Sequence, residues 1–316
     1  MISCTEFIPF YSEFFKFLEK KGGYDAVLEY WYNTSDKGLG DKTNPNSLSS
    51  FCEKYGGFIG GIKYWEHTLT EEACDVQKIY DFENEYYFMN MRGCPSRGML
   101  NKLDHIEPYH KYCEHCKVLY DRVLKKYGMT YEMDHSNIDK AMCTSLLYRT
   151  GKKPTCDVSK VLPHHTVIDM KADDNKYLHR DFHLSGDRII AYCVEKYGYD
   201  EFIAFLKDYA KVYYAPVIED AKKNGLPVFE KWIKNTYEKE EASELLHTTL
   251  TEDKLTVKVD KNPAVLYART LGQELCEYNK EQTLTMYKEI ANLAGFDFVV
   301  DYYDNDGGTK YHFIKR

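Results

Sequence analysis

Three cysteines in one short stretch are the residues whose types and spacing best fit chemistry. Cys94 directly precedes Pro95, and two residues separate Cys113 from Cys116. Proline suits the first position of a helix, so the chain is predicted to turn from a strand into a helix at Cys94. The partial positive charge at a helix N-terminus lowers the pKa of a thiol. Cys94 is therefore predicted to be a nucleophile or a metal ligand.

Histidines near these cysteines extend the set of possible metal ligands. Thiolate and imidazole together are typical of tetrahedral zinc sites, and both also bind iron. The second interpretation is that the cysteines are small buried apolar residues, because a Cys-x-x-Cys pair at a helix start is only moderately specific. The predicted ligands of a divalent metal, zinc or iron, are Cys94, Cys113, Cys116 and His110, with His105 and His115 as alternatives to the histidine.

A second group of chemical residues is the segment His179-Arg180-Asp181-Phe182-His183. On a helix His179 and His183 lie on one face, and on a strand Asp181 shares a face with both. Either geometry could perform general acid–base chemistry near neutral pH. The alternative is a helix start at which Asp181 caps the helix and each histidine pairs with a carboxylate. The candidate catalytic residues are Cys94, Cys113, His179 and His183.

Composition narrows the class of partner. The 316 residues carry a net charge of -8 and contain no long basic run, which argues against nucleic acid or an anionic membrane surface. A small-molecule partner is expected instead. The chain lacks a basic, apolar leader, and its ten cysteines are too dilute for a disulfide scaffold, so a cytoplasmic protein with free thiols is predicted. No glycine-rich phosphate loop or serine nucleophile motif is present, which disfavours nucleotide chemistry.

The elements that must position these residues follow from hydrophobic periodicity. A first unit at 1–150, a linker at 151–175 and a second unit at 176–316 are predicted. The main predicted helices are 6–20, 58–80, 200–223, 226–247 and 279–294, and the main predicted strands are 86–91, 129–132, 143–148, 254–259, 296–303 and 309–315.

The two units repeat each other. Trp65 and Trp232 are 167 residues apart, and so are Gly128 and Gly295. A nearly constant offset along a shared order of elements indicates duplication. The predicted class is α+β, with two repeated units that each pack helices on a mostly antiparallel sheet. At the equivalent positions the second unit has Asn262, Lys280 and Thr283 in place of Cys94, Cys113 and Cys116, so the fold itself does not require a metal.

Short motifs in both units resemble a known family. RGCPSRGML, YCEHC and LYDRVLKKYG in the first unit, and LTVKVDKNPAVLYARTLG and GLPVFEKWIKNTYEKEEA in the second, resemble the L-2-amino-thiazoline-4-carboxylic acid hydrolases. The resemblance implies hydrolysis of a C–N bond in a cyclic amidine, with the cysteine-proline motif at Cys94 and the downstream cysteine at Cys113 or Cys116. The chain is also distantly similar to small-ligand-binding domains of the 4-vinyl reductase type, which implies the alternative of a non-catalytic protein that binds or senses a ligand or a metal.

Overall fold

Two antiparallel sheets, each packed against helices, make the fold α+β, as predicted. The computed structural model describes residues 1–171 and 177–316. They divide into two units by their internal contacts. We call Leu18–His179 the cysteine-rich unit, and Met1–Phe17 together with Arg180–Arg316 the C-terminal unit.

This division differs from the predicted boundaries at both ends of the first repeat. The first 17 residues belong with the C-terminal unit, although the sequence places them in a first unit at 1–150. The predicted linker at 151–175 contains a strand, Thr166–Met170, which pairs with the first sheet. This edge strand is largely exposed, so its sequence lacks the apolar alternation that marks a buried strand. Residues 172–176, at the junction of the predicted linker and second unit, lie outside the described residues.

The cysteine-rich unit carries a five-stranded sheet of order β3-β4-β2-β1-β5, in which all neighbours are antiparallel. Its first helix begins in the C-terminal unit and bends at Gly23, whose φ of 69° is left-handed. The elements are α1 (Phe7–Thr34), α2 (Leu48–Tyr55), α3 (Gly57–Glu71), β1 (Asp75–Asp81), β2 (Tyr86–Gly93), α4 (Pro95–Leu100), α5 (Glu114–Leu124), β3 (Met129–Asp134), β4 (Cys143–Arg149) and β5 (Thr166–Met170).

The C-terminal unit carries a four-stranded antiparallel sheet of order β6-β7-β9-β8. Pro216 lies in the first turn of α8, so the predicted helix 200–223 is divided into two at Tyr214. The elements are α6 (Asp181–Tyr197), α7 (Tyr199–Tyr213), α8 (Ala215–Asn224), α9 (Leu226–Lys239), β6 (Leu246–Leu250), β7 (Lys254–Val259), α10 (Pro263–Thr270), α11 (Glu281–Ala294), β8 (Phe296–Tyr303) and β9 (Thr309–Lys315).

The two sheets have the same strand order once β5 is set aside, because β3-β4-β2-β1 corresponds to β8-β9-β7-β6. The turn before the first strand of each sheet also recurs. Ala73 and Glu241 both adopt a left-handed conformation, with φ of 50° and 53°. Since these two residues are equivalent, the residues before them, Glu72 and Glu240, are equivalent as well. Strand pairing places Cys143 opposite Met91 and Thr309 opposite Val259, which makes Cys143 and Thr309 equivalent.

One face of α3 shows why the helices of the cysteine-rich unit cover its sheet. Phe58, Ile62, Trp65 and Leu69 recur at helical spacing, and each is at most 6% exposed. The indole of Trp65 stacks on the ring of Tyr131 in β3, with centroids 5.0 Å apart. Truncating one of these buried side chains to alanine typically costs about 2–5 kcal/mol. This core supports the ends of α3 and β2, which carry the residues described next.

Candidate functional site

Cys94 occupies the turn that the sequence predicts. It is the N-cap of α4, directly after β2, and its Sγ accepts a hydrogen bond from the backbone N–H of Arg97 at 3.4 Å. The equivalent residue, Asn262, is the N-cap of α10, where its Oδ1 accepts from the backbone N–H of Ala264 at 2.9 Å. The prediction of a cysteine at a helix start is therefore confirmed. The second repeat forms the equivalent N-cap with asparagine instead of cysteine.

Four thiols gather around this turn. Cys113 is the N-cap of α5, and Cys116 lies in its first turn. Cys143 begins β4, and the backbone N–H of Cys94 donates to the carbonyl of Ala141, two residues before it, at 2.7 Å. Cys113 and Cys143 are both electrostatic neighbours of Cys94 and of Cys116. The three predicted cysteines thus lie in one region, and sequence reasoning missed the fourth, Cys143.

The pKa of these thiols moves in the direction opposite to the prediction. Burial is the largest cause in every case: it raises the pKa of Cys94 and Cys113, raises that of Cys143 to about 12, and raises that of Cys116 well above its usual value. The N-terminus of a helix favours an anion by only about 0.3–1 kcal/mol, which is too little to offset desolvation here. The thiols are therefore protonated at neutral pH.

These side chains form one group of neighbours in the cysteine-rich unit. Each of the four cysteines keeps some accessible surface, although protein atoms around them replace much of the solvent. Glu72 is an electrostatic neighbour of Cys94 and Cys116, and His115 Nε2 lies 3.4 Å from Cys116 Sγ. We call this group of side chains the thiol hollow; its residues are Cys94, Cys113, Cys116, Cys143, Glu72, His115 and Tyr120.

Glu72 supplies the hollow with a carboxyl group. Burial raises the pKa of Glu72, and the nearby charge of Glu71 raises it further, while His179 lowers it. The Nε2 atom of His179 lies 3.9 Å from Glu72 Oε1, which is too long for a hydrogen bond. Burial lowers the pKa of His115 to about 4, so this imidazole is neutral at pH 7 and does not balance the carboxylate. The side chains described here therefore stabilise the negative charge of Glu72 only weakly.

The two candidate catalytic histidines pair with carboxylates in separate units. His179 Nδ1 lies 2.7 Å from Glu71 Oε2 in the cysteine-rich unit. His183 Nε2 lies 2.9 Å from Glu240 Oε2 in the C-terminal unit. Both imidazoles are buried. The pairing of both histidines with carboxylates, one part of the alternative interpretation, is confirmed. The other part is wrong: Arg180 is the N-cap of α6, and Asp181 Oδ1 instead accepts from the Tyr267 hydroxyl at 2.7 Å.

The predicted metal-ligand set does not assemble. His110 is 60% exposed and lies beside Glu19, with 3.7 Å between Nε2 and Oε1. In residues 1–171 and 177–316, no three of Cys94, Cys113, Cys116 and His110 bring their ligand atoms within 4.8 Å of one another. His110 was predicted because it is close to Cys113 in sequence, but it lies on the surface.

Another group in the described residues could hold a metal ion: Asp81, His164 and His165. Asp81 ends β1, and its Oδ2 lies 3.0 Å from His164 Nε2 and 3.9 Å from His165 Nε2. Burial opposes ionisation of Asp81, but hydrogen bonds from Asn84 and the charge of His164 outweigh it, so the pKa is lowered. The two histidines lie in the predicted linker, and no local sequence pattern indicates that they meet Asp81.

The tautomer of His165 bears on this group. The backbone N–H of Leu162 donates to His165 Nδ1 at 3.1 Å, so the proton of the neutral ring is on Nε2. Nε2 contacts the hydroxyl of Tyr86. A metal at Nε2 would have to displace this proton and shift the Leu162 hydrogen bond. His165 is therefore a weaker ligand than the short distances alone suggest.

No protein-family model, curated protein or solved structure matches the chain. None of the helices in the described ranges combines the length and the apolar character that crossing a bilayer requires.

Proposed function

We propose that this protein binds a small, cation-bearing molecule of the cyclic amidine class in the thiol hollow. The observation that carries the proposal is the place of the Glu72 carboxyl: it is 14% exposed, neighbours Cys94 and Cys116, and lies 3.9 Å from His179 Nε2, too far for a hydrogen bond, while burial raises its pKa. A buried acid of this kind costs folding free energy unless a donor or cation meets it. A ligand with N–H donors would supply that partner.

The other side chains of the hollow fit the rest of such a ligand. An amidinium presents two N–H groups in the fork geometry that a carboxylate accepts. Thiols and the ring of Tyr120 offer a polarizable, weakly polar lining that suits a sulfur-containing ring. Arg97 is an electrostatic neighbour of Cys113, and its buried Nε has no hydrogen-bond partner in the described ranges. A carboxylate on the ligand would satisfy Arg97, so the chemistry favours a small zwitterion such as L-2-amino-thiazoline-4-carboxylate.

Hydrolysis of this compound is the second candidate function, and Glu72 favours it more than Cys94 does. A nucleophilic cysteine acts as its thiolate, and burial keeps Cys94 protonated. A carboxyl with a raised pKa can instead exchange a proton with a bound substrate or water. We therefore assign ligand binding to the hollow first, and any turnover to acid–base chemistry at Glu72.

The proposal is tested by titrating the protein with L-2-amino-thiazoline-4-carboxylate in a calorimeter. We expect saturable binding of one ligand per chain, weakened at least about tenfold by Glu72→Gln, because a neutral amide loses the charge-assisted pair. Glu83→Gln is the matched control, since Glu83 is an exposed carboxylate of the same unit. Equal binding by wild type and Glu72→Gln would contradict the proposal. Chromatography of the same samples separates binding from ring opening, and a ring-opened product lost in Glu72→Gln would support the hydrolase.

Metal binding is a separate candidate function, favoured by Asp81, His164 and His165. One carboxylate and two imidazoles fit zinc, or iron with open positions. Zinc should therefore raise the melting temperature, with a stabilisation of about 2.7 kcal/mol at a hundredfold excess over Kd. Asp81→Asn should remove the shift, and Asp157→Asn, an exposed aspartate of the same segment, should keep it. The shift should fade on acidification, as protons compete for the imidazoles. An unchanged melting temperature in zinc would reject this site.

A further inference from the structure

The counterpart of the thiol hollow in the C-terminal unit is occupied by the segment Met1–Cys4. The Met1 nitrogen donates to Thr283 Oγ1 at 2.9 Å and to the Tyr287 hydroxyl at 2.8 Å. Thr283 and Tyr287 stand 167 residues after Cys116 and Tyr120, which line the thiol hollow. The residues of the second repeat that correspond to Cys116 and Tyr120 therefore bind main chain.

Further along the segment the correspondence continues. The backbone N–H of Ile2 donates to Gln282 Oε1 at 3.2 Å, and Gln282 is equivalent to His115. The backbone N–H of Cys4 donates to Glu240 Oε1 at 2.6 Å, and Glu240 is equivalent to Glu72. The four residues of the segment are each at most 5% exposed. The hydroxyl of Tyr287 also donates back to the Met1 carbonyl at 3.3 Å.

The occupied site differs from the thiol hollow in the groups that stabilise its glutamate, Glu240. Burial opposes ionisation of Glu240, but the charge and hydrogen bond of His183 and the N–H of Cys4 outweigh it, so the pKa is lowered. The pKa of Glu72 is raised, and within residues 1–171 and 177–316 no peptide N–H donates to its carboxylate. The backbone N–H of Cys4 is thus a hydrogen-bond donor to Glu240 that has no counterpart at Glu72 among the described residues.

Most hydrogen bonds between the segment and the repeat join main-chain atoms of Met1, Ile2 and Cys4 to side chains of the repeat, and the Cys4 thiol also bonds to Glu240. Main-chain donors and carbonyls are common to all peptides, so these contacts recognise a peptide backbone more than one particular sequence. A core built only for packing would use apolar residues here, since a buried ion pair such as His183 and Glu240 adds little net stability. The polar lining is therefore that of a recognition site.

We propose that the second repeat contains a binding site for a short peptide segment, and that residues 1–4 of this chain close it. The ligand class is a peptide segment that offers main-chain N–H groups to Glu240 and Gln282 and an apolar side chain in place of Ile2. The proposal rests on the C-terminal unit alone and is independent of ligand binding in the thiol hollow.

The experiment displaces the segment in the full chain. Ile2→Asp places a charge where the side chain is 5% exposed, and this should expel residues 1–4. The readout is alkylation by iodoacetamide, mapped by mass spectrometry. Cys4 is fully buried in the wild type and Cys156 is exposed. We expect Cys4 to react at least about tenfold faster in Ile2→Asp, with Cys156 unchanged. The free peptide Met-Ile-Ser-Cys-Thr-Glu-Phe should then bind Ile2→Asp one to one, bind wild type at least about tenfold more weakly, and lose affinity when Glu240→Gln is added.

Two results would overturn the proposal. One is a wild-type Cys4 that is alkylated as fast as Cys156. The other is a folded Ile2→Asp variant that does not bind the free peptide. If Ile2→Asp does not fold, Glu240→Gln in an otherwise native chain decides the question: Cys4 should react at least about tenfold faster, while Glu244→Gln, a change at an exposed carboxylate, leaves it protected. Equal protection in both variants would reject the role of Glu240.

Discussion

Glu240→Gln is expected to lower the free energy of unfolding by about 3 kcal/mol, whereas the equivalent change, Glu72→Gln, should raise it by about 1 kcal/mol. The two glutamates hold the same place in the two repeats, but their surroundings differ. Glu240 is bonded by His183 and by the N–H of Cys4, so its loss leaves a buried imidazole without its carboxylate. Glu72 is a largely buried acid that lies 3.9 Å from His179 Nε2, and a neutral amide removes its desolvation cost.

The contributions of Glu72 and Glu240 to stability should also depend on pH in different ways. The pKa of Glu72 is raised on folding, so the native state takes up protons, and stability falls as pH rises from the usual range of a carboxyl through the higher folded value. The pKa of Glu240 is lowered on folding, so its contribution is present above the usual range and is lost as pH falls through the lower folded value. Urea unfolding of wild type and both variants from pH 4 to pH 8 measures these slopes. Changes of the same sign in the two variants at pH 7 would contradict the assignment.

Cys94→Asn should leave the fold intact and weaken ligand binding. It installs the residue that the second repeat uses at the equivalent N-cap, and asparagine is a better cap than cysteine, so stability should stay within about 1 kcal/mol of wild type. Within the thiol hollow, however, the change replaces a polarizable sulfur with a larger polar amide. We expect binding of L-2-amino-thiazoline-4-carboxylate to weaken at least about tenfold in the same calorimetric titration.

The reciprocal change provides the control. Asn262→Cys should cost about 1 kcal/mol through the lost cap and leave binding in the thiol hollow unchanged. If Cys94→Asn instead retained full affinity, Cys94 would be a helix-start residue only and would not belong to the proposed ligand site.

Much of the fold could be read from the sequence, because the repeat and the apolar periodicity are both local patterns. The strands Lys254–Val259, Phe296–Tyr303 and Thr309–Lys315 were predicted with the bounds they have. Two strands were missed at equivalent places, β1 and β6, since the predicted helix 58–80 covers nearly all of β1 and the predicted helix 226–247 extends into the start of β6. The turns that end those helices use Ala73 and Glu241 in left-handed conformations, and neither residue carries the glycine signal for a helix end.

The candidate site was only half predictable. The Cys94 turn follows from cysteine before proline, which is a local signal. The addition of Cys143 depends on the pairing of β4 with β2, and the addition of Glu72 depends on where α3 ends, and neither is a property of neighbouring residues. The direction of the thiol pKa also required the fold, because burial outweighs the helix N-terminus and burial is set by long-range packing.

The discontinuity of the C-terminal unit has a consequence for biosynthesis. Phe10 and Phe14 are buried against Phe205, which the ribosome adds about 190 residues later. At a synthesis rate of about 5–20 residues per second, these two rings are made roughly 10 to 40 seconds before Phe205. Leu18–His179 is continuous and can fold during that interval. We therefore expect the early aromatic segment to stay exposed on the nascent chain during that interval, and residues 1–4 to bind Glu240 only after that residue has been synthesised.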